Sequence, residues 1–193
     1  MANLKPLTAL GHDAPEVLSI GAVRISERFD VALASVAARR GKAGDLASAA
    51  QGIGLPLPAP ATHQAGDPWS AFWVAPEMWF VEAPFASHED IAARLKAALG
   101  DTASVTEQTD AWVRFDIAAP DLAPLFERLS NLDLARAPVG FASRTVIEHV
   151  GTYLVKRAAG EVVLYGPRSS AASLLHVLEV TAKSLESDRW ILS

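Results

Sequence analysis

One arrangement of strands and helices occurs twice in this chain, and this recurrence constrains the fold more than any other feature. Residues 70–84 hold two short apolar segments on either side of a Pro-Glu pair, and the second segment ends in Ala-Pro ahead of a helical pattern. About 83 residues later, Val162 to Pro167 repeats the second segment before another helical pattern. Three pairs of positions correspond on this alignment: Pro84 with Pro167, Ile91 with Leu174, and Leu95 with Leu178.

The recurrence extends upstream of these segments. Val23-Arg24-Ile25 recurs as Val113-Arg114-Phe115 about 90 residues on, and each triplet is expected to precede a short helix. We therefore predict two strand-helix-strand-strand-helix units, at approximately residues 19–100 and 103–185, within a single compact domain of residues 1–193. Tight turns between strands that alternate with helices predict an α+β fold with antiparallel sheets.

Apolar periodicity predicts the individual elements. Strands are expected at residues 20–26, 72–74, 78–82, 111–117, 144–150, 152–156 and 162–165. Helices are expected behind Asp30, Ser87 and Asp121 as N-caps, and from about Ser170 to the C-terminal region. The first of these helices would carry its apolar residues at Val31, Leu33, Val36 and Ala37.

Residues 41–66 interrupt this regular pattern. The segment is rich in glycine and proline, and its Leu-Pro-Leu-Pro-Ala-Pro portion favours an extended, polyproline-like path. One or two helical turns are expected at residues 45–51, and the rest of the segment is predicted to be an irregular insertion.

Composition excludes several classes of function. The 193 residues carry a formal net charge of −5 with no run of lysine or arginine, which argues against a nucleic-acid partner. There is no cysteine, so disulfides, thiolate metal sites and cysteine nucleophiles are excluded. Half of the residues are apolar, which is consistent either with a surface covered by a partner or with a large alanine-rich core.

The expected location is cytoplasmic. Residues 1–13 lack an apolar core of signal-peptide length and contain Pro6. No apolar run approaches the 18 residues that a membrane-spanning helix needs, so no membrane association is expected.

No motif in the sequence predicts a catalytic, cofactor-binding or metal-binding residue. The five histidines lack the spacing of metal ligands, and the acidic residues beside His88 suit the first turn of a helix. Ser169 and Ser170 lack a nucleophile elbow, and Gly52-Ile53-Gly54 lacks the strand and third glycine of a dinucleotide fingerprint. His149 is placed on a strand beside Glu148, where the two side chains would point to opposite faces.

Two arginines and one aspartate remain as candidate ligand groups. Arg144 and Arg168 could each hold an anionic group, because guanidinium matches carboxylate geometry. Either could equally bind a partner subunit or a buried carboxylate within the fold. Asp116 lies on the polar side of an alternating strand, where solvent exposure is its simplest interpretation.

Aromatic and apolar residues suggest where the chain packs. Trp73 and Trp79 are expected to play different roles across their hairpin, with at least one mostly buried. A partner interface is predicted at two places, the 41–66 segment and the C-terminal tail. The candidate interface residues are Leu55, Leu57, Trp190, Ile191 and Leu192.

Three blocks of sequence resemble the gamma subunit family of heterotetrameric sarcosine oxidase. They are Trp73-Val-Ala-Pro-Glu-Met-Trp-Phe-Val, then Val105-Thr-Glu-Gln-Thr-Asp-Ala-Trp-Val-Arg-Phe-Asp with Leu132-Asp-Leu, and Phe141-Ala-Ser-Arg-Thr-Val-Ile-Glu-His-Val continuing to Pro167-Arg-Ser-Ser-Ala-Ala-Ser-Leu. Together they cover roughly residues 70–180. The last 90 residues also resemble the folate-binding aminomethyltransferases of glycine cleavage, which implies that fold but not that activity.

The resemblance implies a function that the residues alone do not. It implies a non-catalytic gamma subunit of an oxidoreductase complex that demethylates sarcosine to glycine, passes formaldehyde to tetrahydrofolate and produces hydrogen peroxide. The implied partners are the alpha, beta and delta subunits, which would hold FAD, FMN, NAD, tetrahydrofolate and zinc, with no cofactor in this chain. Two alternatives stay open, an independent folate-binding or aminomethyltransferase-related protein and a self-assembling scaffold.

Overall fold

The chain folds into two compact units, each built on an antiparallel sheet. The computed structural model describes the backbone of residues 6–192 and the side chains of residues 6–187. Unit 1 comprises Met1–Phe29, Trp112–Val139 and Thr145–Ser193, and unit 2 comprises Asp30–Ala111 and Gly140–Arg144.

Unit 1 is organised around a six-stranded sheet with the order β1-β2-β8-β11-β10-β9. The strands of this sheet are β1 (Val17–Ile20), β2 (Val23–Arg28), β8 (Trp112–Ala118), β9 (Ala142–Ile147), β10 (Val150–Ala158) and β11 (Glu161–Pro167). Of β9, only the part from Thr145 onward belongs to unit 1. The central strand β8 pairs with both β2 and β11, and Ile117 lies opposite Ile25 on one side and Val162 on the other. One face of the sheet is therefore continuous and apolar across three strands.

Two helices belong to unit 1, α4 (Ala123–Leu129) and α5 (Ala171–Leu192). In α4, Leu122, Leu125, Phe126 and Leu129 form the predicted buried stripe. Helix α5 packs directly on the sheet, because a Cβ added to Gly166 of β11 would lie 2.0 Å from Leu174 Cδ1. Glycine at position 166 permits this close approach of helix and strand.

Unit 2 contains a five-stranded sheet with the order β4-β5-β6-β3-β7. Its strands are β3 (Val31–Ala38), β4 (His63–Gln64), β5 (Ser70–Ala75), β6 (Met78–Pro84) and β7 (Ala103–Glu107). Its helices are α1 (Ala43–Gly52), α2 (Phe85–His88) and α3 (Ile91–Leu99). Side chains from β3, β6, α1 and α3 form one buried cluster that includes Val36, Leu46, Val81, Leu95 and Leu99.

The predicted correspondence between the two helix-preceding strands is confirmed by burial. Ile91 and Leu95 in unit 2, and Leu174 and Leu178 in unit 1, are all fully buried. Pro84 and Pro167 end their strands with nearly the same backbone angles, φ −60° and ψ 124° against φ −56° and ψ 134°. The proposed alternation of β8 is also confirmed, since Val113, Phe115 and Ile117 are buried.

The helix predicted behind Asp30 is wrong, because residues 31–38 form β3 instead. This strand lies between β6 and β7, and Ala32 to Val36 are all buried. When both faces of a strand are buried, its sequence lacks the alternation of apolar and polar residues that identifies a strand. A short apolar run is then consistent with either a strand or a helix.

The predicted equivalence of Val23–Ile25 with Val113–Phe115 is also corrected. Strands β2 and β8 are neighbours in one sheet rather than counterparts in two repeats. In the observed order, β3 and β8 are each followed by one α-helix, three strands and then another α-helix. The two compact units therefore do not coincide with the half-repeats 19–100 and 103–185, because β1 and β2 lie in unit 1 together with β8.

The 41–66 segment is more regular and more buried than predicted. It contains α1, which spans ten residues, and Leu46 and Ala50 on this helix are buried. Leu55 is 4% exposed and belongs to the core cluster of unit 2. Leu57 packs against the same cluster and is only partly buried. The contact of Leu55 and Leu57 with a partner remains a prediction.

Three local assignments also change. Ser87 does not cap a long helix, because α2 ends at His88 and α3 starts at Ile91 without a side-chain cap. Glu148 and His149 lie in a turn with φ values of 48° and 66° rather than on a strand. Leu185 is only partly buried, and Ala182 is the fully buried residue on that face of α5.

Trp73 and Trp79 face each other across the β5–β6 hairpin, and each is largely buried. Trp79 packs on the core of unit 2, and its Nε1 donates a hydrogen bond of 2.8 Å to Pro58 O. That bond ties the proline-rich segment to the hairpin, whereas no described partner accepts a hydrogen bond from the Trp73 indole.

We expect Trp79→Phe to lower the free energy of unfolding by about 1 kcal/mol more than Trp73→Phe, because only Trp79 loses a hydrogen bond. Equilibrium urea unfolding of the two variants measures the difference. Equal losses would mean that the bond to Pro58 contributes nothing to stability.

Candidate functional site

A polar cluster surrounds Asp116 on the face of β8 opposite the apolar residues. Arg114 Nε and Nη2 donate to the two carboxylate oxygens of Asp116 at 2.7 and 3.2 Å. Arg28 Nη1, on the neighbouring strand β2, donates to Asp116 Oδ2 at 3.2 Å. Arg114 also reaches Tyr165 of β11, whose hydroxyl accepts a hydrogen bond of 3.4 Å.

This polar cluster joins three adjacent strands. Arg28 lies opposite Arg114 in the β2–β8 register, and Tyr165 lies opposite Arg114 in the β8–β11 register. Both oxygens of Asp116 are occupied by guanidinium donors. The sequence predicted a solvent-exposed Asp116. In the structure, its carboxylate instead accepts hydrogen bonds within a cross-strand network.

Arg168, a candidate anion contact, binds backbone carbonyls of the N-terminal segment. Its Nη2 donates to Leu7 O at 2.9 Å and to Thr8 O at 3.1 Å. The carboxylate of Glu27, which is 2% exposed, accepts hydrogen bonds from the backbone N–H groups of Leu10 and Glu16, each at 3.1 Å. Two charged side chains thus hold residues 7–16 against the rest of unit 1.

Arg144, the other candidate anion contact, has an exposed side chain on β9. Strand β9 is the last strand in the order of its sheet, and β10 and β11 separate it from β8, which carries Asp116. Arg144 and Asp116 therefore lie on strands that are not neighbours, and the geometry does not favour a joint ligand site.

Buried charged residues were missed by the sequence interpretation. Glu27, Glu82 and Lys156 are all under 9% exposed. Ser70 Oγ donates to Glu82 Oε2 at 3.0 Å in unit 2, and Lys156 Nζ donates to Leu134 O and Ala137 O at 2.9 and 2.7 Å in unit 1. These contacts satisfy buried polar groups within each unit, as stability requires.

A groove lies beside α1 in unit 2. It has a volume of about 440 Å³, opens to solvent, and is bordered by the C-terminal half of α1 and by residues 54–57 and 64–66. Leu55 and Leu57 contribute to its wall, and Gln51 and Gln64 are its polar side chains. No charged residue lines it, so the groove is suited to a neutral, partly apolar group.

The histidines do not assemble a metal centre in the described part of the chain. No cluster of three or more histidine or acidic residues could hold a metal ion there. His88 Nδ1 lies 2.9 Å from Ser87 Oγ, and its ring meets Trp69 edge-on. Asp90 is bound by Arg94 Nε, whose hydrogen bond lowers the pKa of that carboxyl below its ordinary value, so Asp90 is committed to a helix-surface pair.

The predicted interface residues Trp190, Ile191 and Leu192 lie outside the residues whose side chains are described. Their backbone continues α5, which ends at Leu192. Their contact with a partner remains a prediction.

None of the helices in the described range combines the length and apolar character that crossing a membrane requires.

The sequence matches no family model and no curated protein. Solved structures do share the fold. A chain of the heterotetrameric sarcosine oxidase from Corynebacterium sp. U-96, in complex with pyrrole 2-carboxylate, has a TM-score of 0.74 at 20% identity, and the match covers 88% of both chains.

The glycine cleavage system aminomethyltransferase T from Bartonella henselae is a more distant structural neighbour. Its TM-score is 0.58 at 11% identity, and the match covers 79% of this chain but only 44% of that protein. Less than half of the aminomethyltransferase is thus represented. The predicted α+β, aminomethyltransferase-like fold is confirmed by these two neighbours.

Proposed function

We propose that this chain is the non-catalytic gamma subunit of a heterotetrameric sarcosine oxidase. The observation that carries the proposal is the fold match to a chain of such an enzyme over 88% of both chains, because equal coverage means that the two chains are of similar length. The match to the aminomethyltransferase covers only 44% of that protein.

The arrangement of polar side chains is consistent with a structural role. The carboxylate of Asp116 accepts hydrogen bonds from two arginines, and Arg168 and Glu27 bind backbone groups of the N-terminal segment. Each of these groups stabilises the chain itself. A general acid or base must instead reach a substrate atom, directly or through one water molecule.

In the proposed complex, sarcosine is oxidatively demethylated to glycine, formaldehyde passes to tetrahydrofolate, and oxygen is reduced to hydrogen peroxide. The alpha, beta and delta subunits would supply FAD, FMN, NAD, the tetrahydrofolate site and zinc. This chain would act in the cytoplasm by stabilising the assembly.

Affinity capture of the tagged chain from its native host tests the proposal. We expect larger subunits to copurify and the eluate to show flavin absorbance. Capture of the chain free of flavin-bearing proteins, from cells that demethylate sarcosine, would contradict membership of the complex.

The C-terminal end of α5 is proposed to contact these partners. Truncation after Ser187 should leave the fold intact, since Leu174, Leu178 and Ala182 are already buried upstream. The same truncation should reduce copurification with flavin-bearing chains, because it removes Trp190, Ile191 and Leu192.

Thermal melting and copurification are measured together, with a chain lacking only Ser193 as the control. A large fall in melting temperature with assembly retained would place Trp190 in the core of the protein and refute the contact.

The fold match to an aminomethyltransferase, together with the sequence resemblance to folate-binding members of that family, favours one second candidate, an independent folate-binding protein. Equilibrium binding of tetrahydrofolate by the isolated chain, abolished by Arg144→Ala and retained by Arg136→Ala, would support it. Absence of binding would leave the subunit proposal as the better account.

A further inference from the structure

Residues 7–16, here called the strap, are attached to unit 1 by polar contacts rather than by apolar burial. None of the apolar side chains of the strap is buried, and Leu7 is 49% exposed. The buried residue of the strap is Thr8, at 7% exposure. Because apolar burial is the dominant favourable term in folding, a segment without it contributes little to the hydrophobic stability of the unit.

Two charged side chains outside the strap bind its backbone. The carboxylate of Glu27 accepts hydrogen bonds from the N–H groups of Leu10 and Glu16, and Arg168 Nη2 donates to Leu7 O and Thr8 O. One backbone bond, from Glu27 N to Glu16 O at 2.8 Å, marks the end of the strap next to β1. The four side-chain bonds are partly buried or exposed, so water replaces the lost partner when one of them breaks.

The strap also has hydrogen bonds of its own. Thr8 N donates to His12 O and Gly11 N donates to Thr8 O, each at 3.0 Å, and His12 N donates to Thr8 Oγ1 at 3.3 Å. This turn places Gly11 at a φ of 82°, a conformation that glycine adopts without strain. The bonds join strap residues to one another, so they are kept when the strap separates from the rest of unit 1.

The sheet and core of unit 1 are built from residues outside the strap. Strand β1 starts at Val17, after the strap, and pairs with β2 from Val17 to Ile20. The buried apolar residues Ile25, Phe115 and Phe126 lie on β2, β8 and α4. Separation of the strap therefore breaks no strand pairing and opens no apolar cluster among the described residues of unit 1.

We propose that the strap opens and closes as one segment while the rest of unit 1 stays folded. Opening removes the backbone partners that the strap supplies to Glu27 and Arg168. Glu27 is 2% exposed with the strap in place, so the strap controls the access of solvent and of other molecules to this carboxylate. Segments with few buried apolar contacts are the ones that open locally, below the free energy of global unfolding.

This local opening is a property of the purified chain. It does not rest on the proposed role in sarcosine oxidase, and the two proposals can therefore fail separately.

Amide hydrogen exchange of the full wild-type chain, in urea below the unfolding transition, tests the proposal. The amides of Leu10 and Glu16 are compared with those of Phe115 and Leu164 on the central strands β8 and β11. We expect the two strap amides to exchange at least about tenfold faster after correction for intrinsic rates. Their rates should hardly change with urea, because the opening exposes little surface, whereas the rates of the two central amides should rise steeply.

Two variants separate local opening from global unfolding. Phe126→Ala destabilises the core and should accelerate exchange at Phe115 and Leu164 at least about tenfold, without changing exchange at the strap amides. Glu27→Gln replaces the charged acceptor and should accelerate exchange at Leu10 and Glu16 about tenfold. Glu127→Gln, at an exposed glutamate on α4, is the matched control for the second variant.

Strap amides that exchange as slowly as Phe115 and Leu164, with the same dependence on urea, would overturn the proposal. They would then be released only by unfolding of the whole unit. Equal acceleration of all four amides by Phe126→Ala would overturn it as well. The wild-type measurement decides the question by itself if Phe126→Ala fails to fold.

Discussion

Replacing Phe126 with alanine should lower the free energy of unfolding by about 3–5 kcal/mol. Phe126 is fully buried on α4, and removal of its ring leaves a cavity among residues that relax only in part. Domains are typically stable by about 5–15 kcal/mol, so the variant should unfold at a much lower denaturant concentration.

Phe29→Ala is the matched control, because Phe29 is 59% exposed in the same unit. We expect its effect to stay within about 0.5 kcal/mol. Urea unfolding followed by tryptophan fluorescence measures both variants. Similar losses for the two phenylalanines would contradict the assignment of α4 to the core of unit 1.

Replacing Glu27 with leucine should cost about 2–5 kcal/mol, because two backbone N–H groups in partly buried hydrogen bonds lose their charged acceptor. The Glu27 carboxylate accepts hydrogen bonds from Leu10 and Glu16, which lie eleven to seventeen residues before it in the chain. The N-terminal segment should therefore loosen along with the loss of stability. Glu27→Gln keeps one carbonyl oxygen and should cost less.

Hydrogen exchange at the amides of Leu10 and Glu16, together with urea unfolding, measures this effect. Glu127→Gln, at an exposed glutamate on α4, serves as the control. Unchanged exchange at both amides in Glu27→Leu would mean that the carboxylate does not hold the segment.

Some of the fold could be predicted because the residues carry a periodic signal. Strand β8 alternates buried and partly exposed residues, and Leu122, Leu125, Phe126 and Leu129 follow the spacing of a helix face. These patterns depend only on neighbours in sequence. They therefore identify elements without any knowledge of what packs against them.

Strand β3 could not be identified in this way. Ala32 to Val36 are buried on both faces because β6 and β7 flank the strand and α3 lies over it. Its two neighbours come from residues some 40 to 75 positions later in the chain. Only the assembled sheet distinguishes this strand from a helix.

The spacing of residues along β2 does indicate that Glu27 is buried. Glu27 follows Val23 and Ile25 at two-residue steps on β2, which places its side chain on the buried face. Arg168 is different, because its partners Leu7 and Thr8 lie about 160 residues away. A contact with backbone carbonyls at that separation leaves no pattern in the side chains.

Sarcosine-dependent hydrogen peroxide production distinguishes a non-catalytic subunit from an independent enzyme. The rate is measured for the purified chain alone, for the proposed alpha, beta and delta partners together, and for all four chains. We expect no peroxide from the chain alone and a more stable, active assembly when it is added. Turnover of sarcosine by this chain in the absence of every other subunit would contradict a non-catalytic role.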